Sequence, residues 1–155
     1  MKNLKEKFIK LGAAGLGSGF IPAAPGTAGT LAGIPFFLVF SAFSLPVYLL
    51  FLAVFTCAAV YLAQAAETLF GKKDPPCIVI DEIVGFLWAM ICIPPTLIYT
   101  CSGFILFRLF DIAKPFPIRR LQDKLPGGYG VVGDDIMAGV YANIALRFLI
   151  KFLGI

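Results

Sequence analysis

The chain has 155 residues, enough for one domain, and is 59% hydrophobic and only 14% charged, with 16 phenylalanines. Its mean hydropathy is +0.91, which excludes an ordinary water-soluble globule, because a core this large would leave too little polar surface to cover it. The net charge of +4 is spread in short basic clusters between apolar runs, a pattern that speaks against nucleic acid and for the surface of an anionic lipid bilayer.

The basic start "MKNLKEKFIK" is followed by glycine-rich "LGAAGLGSGF" and lacks the unbroken apolar stretch of an export signal. Leu4, Phe8 and Leu11 recur at helical spacing among Lys2, Lys5, Lys7 and Lys10, which predicts a short amphipathic helix lying on a membrane face. The competing reading is a solvated basic tail. Apolar runs then predict four to five membrane-embedded helices at about 29–44, 46–66, 83–100 with a break at Pro94 and Pro95, 102–112 and 132–153. Some runs are short for a straight span of about 20 residues. The expected fold is therefore all-α, a single membrane-embedded domain over residues 1–155 built as a helical bundle. The links "SAFSLP" and "IPPTLIYTCSG" carry no charge, whereas the others hold Lys72, Lys73, Arg119, Arg120 and Lys124. That asymmetry places the N-terminus and the charged links in the cytoplasm. Cys57, Cys77, Cys92 and Cys101 have no metal or redox spacing and read as small hydrophobes.

The chain has nine acidic residues, and five of them, Asp81, Glu82, Asp111, Asp134 and Asp135, fall where apolar segments meet cytoplasmic links. Ionised carboxylates near hydrocarbon need a partner, so this grouping marks a site. For Asp134 and Asp135 taken alone, helix capping is the rival account. Arg108, Asp111 and Lys114 in "FRLFDIAKPFPIRR" are spaced by three and share a helix face. They form either a salt-bridge ladder or one wall of a pocket for an anion together with a cation. Upstream, "SGFIPAAPGTAGTLAG" puts Gly26, Thr27, Gly29 and Thr30 at a helix start, where free N–H groups and hydroxyls suit phosphate. The same stretch holds Gly29 and Gly33 as a GxxxG, which permits close helix packing.

The chain contains no histidine, which removes a Ser-His-Asp triad and histidine-based phosphatase chemistry. Cys101 and Arg108 are one residue too far apart for a Cys-x5-Arg loop. What remains is a set of hard oxygen ligands with Lys and Arg, suited to Mg²⁺ and metal-assisted phosphoryl transfer.

The stretches "GFIPAAPGTAGTLAG", "IVIDEIVGF", "FRLFDIAKPFPIRR" and "GGYGVVGDDIMAG" resemble, in order and spacing, the motif set of the bacterial phosphatidylglycerophosphatase A family. The resemblance implies a Mg²⁺-dependent lipid phosphatase of the inner membrane, multi-pass, with phosphatidylglycerophosphate as substrate. Its acidic motif positions are Asp81, Glu82, Asp111, Asp134 and Asp135, and its cationic ones Arg108, Lys114 and Arg119. The expected roles are Mg²⁺ binding by the five carboxylates and phosphate binding by Lys114, Arg108, Arg119, Thr27 and Thr30. Asp81 or Glu82 is expected to orient the attacking water, and a covalent aspartyl-phosphate is the alternative. A homo-oligomer stays open. Two other classes compete: a phosphatidyltransferase, for which a DGxxAR pattern is missing, and a transporter or assembly protein, whose site would lie nearer the bilayer midplane.

Overall fold

The computed structural model describes residues 2–153, and among them there is no strand. Seven α-helices follow in order: α1 (Lys2–Ala13), α2 (Pro25–Ser41), α3 (Leu45–Phe70), α4 (Ile80–Ala89), α5 (Leu97–Ala113), α6 (Ile118–Lys124) and α7 (Gly127–Leu153), with a 3-10 segment, Gly15–Phe20, between the first two. Local chemistry sets most of the boundaries. Pro25 and Pro46 occupy first-turn positions of α2 and α3, where a missing N–H costs nothing. Thr96 accepts from the Tyr99 N–H at 3.3 Å to cap α5. Gly71 and Lys114 end α3 and α5 in the left-handed conformation, and Pro115 stops any continuation.

Several boundaries differ from the sequence expectation. The apolar run 83–100 is two elements: α4 ends at Ala89, and α5 begins at Leu97 and runs without interruption through 101–103. Ser102 and Gly103 look like a link because they are small. Gly103 is instead buried inside α5, where an added Cβ would press on Met90 and lie 3.3 Å from Leu146. At the other end, α4 starts at Ile80 and takes Asp81 and Glu82 into its first turn, which acidic side chains favour. "PGGYG" is not an open turn, since Gly127–Gly130 form the start of α7. The Gly128 N–H donates to Gln64 Oε1 of α3 at 3.0 Å.

α4 is the centre of the bundle. All but Glu82 and Trp88 of its ten residues are buried, with α7, α2 and α3 packed around it. Phe37 of α2, Phe86 of α4 and Phe107 of α5 are fully buried and meet edge to face, an arrangement that adds about 0.5–1.5 kcal/mol per pair beyond area burial. Gly29 and Gly33 serve packing: a Cβ on Gly29 would stand 2.6 Å from Val79 Cβ, and one on Gly33 3.1 Å from the Phe86 ring. The outer faces are strongly apolar, with Leu38, Leu50, Val54, Ile105, Leu109 and Phe148 among the exposed side chains.

Among the described residues one helix, α3, is long and apolar enough to cross a membrane; its 26 residues have a mean hydropathy of 2.2 and only 17% of the apolar window is buried. α2 and α5, at 17 residues each, fall short of the about 20 that a straight span takes, and α4 has 10. The expectation of four to five membrane-embedded helices is thus met by length and composition in one of them. The N-terminal amphipathic helix forms as expected. Leu4, Phe8 and Leu11 are exposed, Ile9 and Ala13 face inward, and the Lys10 ammonium sits 5.5 Å from the Phe70 ring centroid.

The close approach of α2 to α4 gives a direct check. Gly29→Leu should cost about 1–3 kcal/mol by overpacking, seen as a Tm lowered by several degrees in detergent. Leu31→Ala, on the exposed face of the same helix, should stay within about 0.5 kcal/mol of wild type.

Candidate active site

The α2–α3 and α4–α5 connections meet. Ser41, Leu45, Cys92 and Pro94 line one small cavity at one end. The opposite end holds a cleft of about 300 Å³ lined by Ala24, Pro25 and Gly26 from the α2 start, Asp74 and Pro76 from the α3–α4 loop, Asp81 and Glu82 from α4, Arg108, Asp111 and Lys114 from α5, and Asp134 and Asp135 from α7. The five expected carboxylates are therefore gathered into one cleft from three helices.

Within it they divide into two groups. Asp111 accepts from Arg108 Nη1 at 2.6 Å, and Asp134 accepts from Lys114 Nζ. Asp81, Glu82 and Asp135 each offer an oxygen within 4.8 Å of the other two, and only Glu82 approaches a cation, 3.7 Å from Arg108 Nη1. One oxygen in each of Asp81, Glu82, Asp134 and Asp135 is buried without a hydrogen-bond partner. Orphaned buried carboxylate oxygens are costly. Hard oxygen donors converging in this way fit a small divalent cation such as Mg²⁺. The donor set around such an ion would be Asp81, Glu82 and Asp135, with Asp111 and Asp134 turned toward Arg108 and Lys114.

The backbone is shaped to the cleft. Among the described residues five non-glycine residues have positive φ, and three of them, Ala24 (52°), Asp74 (48°) and Lys114 (41°), line it. Each such residue costs about 1–3 kcal/mol, so the surrounding structure holds them there against strain. Burial alone would push the Lys114 ammonium down, but the hydrogen bond it donates to Asp134 and the nearby charges of Asp134, Asp135 and Asp111 outweigh it and hold the group above the ordinary lysine value. Burial raises the Asp74 carboxyl, against the opposing pull of Lys114. Gly26 has a spatial role: a Cβ there would collide with the Glu82 carboxylate and stand 3.0 Å from both Arg108 terminal nitrogens. The N-terminal end of α2, with Pro25 and Gly26 at the cleft wall, brings the positive end of a helix dipole to the anion-binding side.

Not every expected residue lines the cleft. Thr30 is fully buried and its hydroxyl donates to the Gly26 carbonyl at 2.9 Å, a bond within the helix that leaves it no proton for phosphate. Thr27 and Arg119 do not line the cleft either, and Arg119 is exposed on α6. Conversely, Asp74 does line it, and the sequence reading passed over it because it sits in a charged link rather than beside an apolar run. Its N–H donates to Glu67 Oε1 at 2.8 Å. The signal available was "KDPPC", an acid fixed by two prolines immediately before the block that carries Asp81.

The Phosphatidylglycerophosphatase A family profile matches residues 11–150. A Haemophilus influenzae protein named Phosphatidylglycerophosphatase A is 40% identical over 146 residues, covering 93% of this chain and 89% of the relative. An Escherichia coli protein of the same name is 37% identical over 139 residues, covering 88% and 80%. A Bacteroides thetaiotaomicron relative, 38% identical over 141 residues and covering 85% and 87%, bears the provisional name phosphatidylinositol-3-phosphatase. No solved structure matches the chain. The matched span contains every cleft residue described above, and the chain belongs to the phosphatidylglycerophosphatase A family.

Proposed function

We propose that this protein hydrolyses the terminal phosphomonoester of phosphatidylglycerophosphate, giving phosphatidylglycerol and phosphate, with Mg²⁺ held by Asp81, Glu82 and Asp135. The observation that carries the reading is the triad of clustered carboxylate oxygens beside Arg108 and Lys114 in a single cleft, in a chain of this family. The chemistry such an ion supplies when bound is polarisation of a phosphoryl oxygen and a water acidic enough to attack at neutral pH.

The protein's own groups account for the rest. Arg108 and Lys114 bring fixed positive charge to a dianionic phosphate, and their partners Asp111 and Asp134 hold both side chains in place before substrate arrives. Lys114 stays protonated and offsets the charge that develops on the leaving glycerol oxygen, which takes its proton from water to give the phosphatidylglycerol hydroxyl. Asp81 or Glu82 orients the attacking water and takes its proton, since no histidine is available. The lipid's acyl chains stay outside, against the apolar helix faces. Lys72 and Lys73 lie in the loop at the cleft end, so the positive-inside rule puts this end on the cytoplasmic side of a bacterial inner membrane.

The direct test is phosphate release by the purified protein from phosphatidylglycerophosphate, with and without Mg²⁺. Release should stop in excess chelator and return when Mg²⁺ is restored. Undiminished release in chelator would sink the metal assignment. Phosphatidylinositol 3-phosphate belongs in the same assay, because one relative's name points to it; faster release from that lipid would reassign the substrate.

Asp135→Asn should remove a ligand charge with little change in volume, cutting turnover by about 10² or more while Tm stays near wild type. Lys114→Met keeps the aliphatic stem and should lower kcat/KM by about 10². Near-normal specific activity with lowered Tm would make Lys114 a structural salt bridge instead. For orientation, single cysteines at Lys73 and Ser44 in a cysteine-free background should label from opposite sides with an impermeant reagent, Lys73 from the cytoplasm.

A further inference from the structure

α4 carries two of the three triad carboxylates, Asp81 and Glu82, on a helix of only 10 residues, and it is held against α7 by a ladder that repeats every fourth residue. Asp135 of α7 supplies the third. One turn on, Gly139 meets α4 backbone to backbone: a Cβ there would collide with the Gly85 carbonyl and stand 3.0 Å from Trp88 Cβ, while one on Gly85 would be 2.7 Å from the Asp135 carbonyl. The next rung is Asn143, whose Nδ2 donates to the carbonyls of Ala89 at 2.7 Å and Ile91 at 3.0 Å. The last is Arg147, which donates through Nη2 to the Ile91 carbonyl and through Nε to Asn143 Oδ1, both at 2.8 Å.

The carbonyls that end a helix lack partners within it, and the negative end of its dipole attracts a cation. In apolar surroundings such carbonyls need donors from elsewhere. At the end of α4 remote from the cleft, Asn143 supplies one to Ala89, the last residue of the helix, and Asn143 and Arg147 together supply the Ile91 carbonyl in the turn just beyond it. On the α3 side α4 is also held by Tyr48, whose hydroxyl donates to the Leu87 carbonyl at 2.7 Å, and by Trp88 Nε1, which donates to Thr56 Oγ1 at 3.3 Å; on the α7 side, Asn143 and Arg147 make the side-chain hydrogen bonds that fix its axial position. Sliding it along α7 would carry Asp81 and Glu82 past Asp135, and the glycine contact allows close packing without resisting that slide.

We propose that Asn143 and Arg147 are positioning residues for the phosphatase reaction, setting the register of α4 on α7 and so the spacing of the Asp81, Glu82 and Asp135 carboxylates some 12 residues along α7 from Arg147. The proposal rests on the metal-dependent phosphatase reading for its catalytic consequence. Its structural part stands on the hydrogen bonds alone.

The experiment compares wild type with Arg147→Met, Arg147→Lys and Asn143→Leu in lipid nanodiscs, by hydrogen–deuterium exchange and by phosphate release across a Mg²⁺ titration. Arg147→Met and Asn143→Leu should speed exchange selectively in residues 80–93, with α3 and α5 unchanged. They should lower kcat by about 10-fold to 10², the size of effect a misplacement near 1 Å produces, with KM for lipid little altered and a higher Mg²⁺ requirement. Arg147→Lys should restore part of both, since an ammonium reaches one carbonyl but cannot also bind Asn143. Unchanged exchange in 80–93 with unchanged kcat overturns the proposal. So does exchange raised equally throughout, with normal specific activity in the folded fraction. If wild type releases no phosphate from any lipid phosphomonoester, the function reading fails, and selective exchange in 80–93 would still support the register.

Discussion

The governing constraint is an excess of buried negative charge. Asp74, Asp81, Glu82, Asp111, Asp134 and Asp135 line one cleft with only Arg108 and Lys114 to balance them. Taking carboxylates out of water without partners costs several kcal/mol each, more than any single packing contact returns. The protein meets part of this cost with its own groups. Arg108 serves Asp111 and approaches Glu82, Lys114 serves Asp134, and the N-terminal ends of α2 and α4 supply partial positive charge. What is left over is concentrated on Asp81, Glu82 and Asp135, and that remainder is the ground for proposing a cation there and, through the cation, a bound phosphate.

The fold can be understood as a support for that arrangement. Charged groups from three helices converge at one end only if the helices between them pack closely, which explains why small residues face α4. Gly29 and Gly33 from α2 and Gly139 from α7 all remove side chains at its surface. Gly26 does the same for the Glu82 and Arg108 side chains. A bundle of ordinary leucine-spaced helices, at about 8–10 Å between axes, would hold these carboxylates farther apart. The left-handed backbone at Ala24, Asp74 and Lys114 belongs to the same economy, since it lets three chain segments turn sharply at the cleft rim.

Much of the site was legible because its residue types are rare in this composition. With nine acids in the chain, the five beside apolar segments stand out, and the i, i+3 spacing of Arg108, Asp111 and Lys114 is a helical signal on its own. The helix count near the proline pair was less legible. Hydropathy does not distinguish a helix interior from a short apolar connection, so α4 and the start of α5 read as one run. Thr30 shows a second limit: a hydroxyl near a helix start can face a ligand or bond back to the carbonyl four residues before, and only the fold decides. Asp74 shows a third, because burial of a loop acid depends on which helix covers it.

The size of the cleft also bears on what kind of selectivity this architecture permits. At about 300 Å³ it lies at the small end of ligand sites, enough for a phosphate and the first atoms of a headgroup but not for acyl chains. On the proposed function its charged lining would read a phosphomonoester and contribute little that would tell glycerol from inositol. Relatives of similar identity bear names built on different lipid headgroups, which accords with a shared core of this kind. Discrimination between headgroups must then arise outside this charged lining. The nearest exposed aromatics in sequence, Phe116 and Tyr129, line two other cavities rather than the cleft, Phe116 beside Arg120 and Met137 and Tyr129 beside Thr56 and Val60.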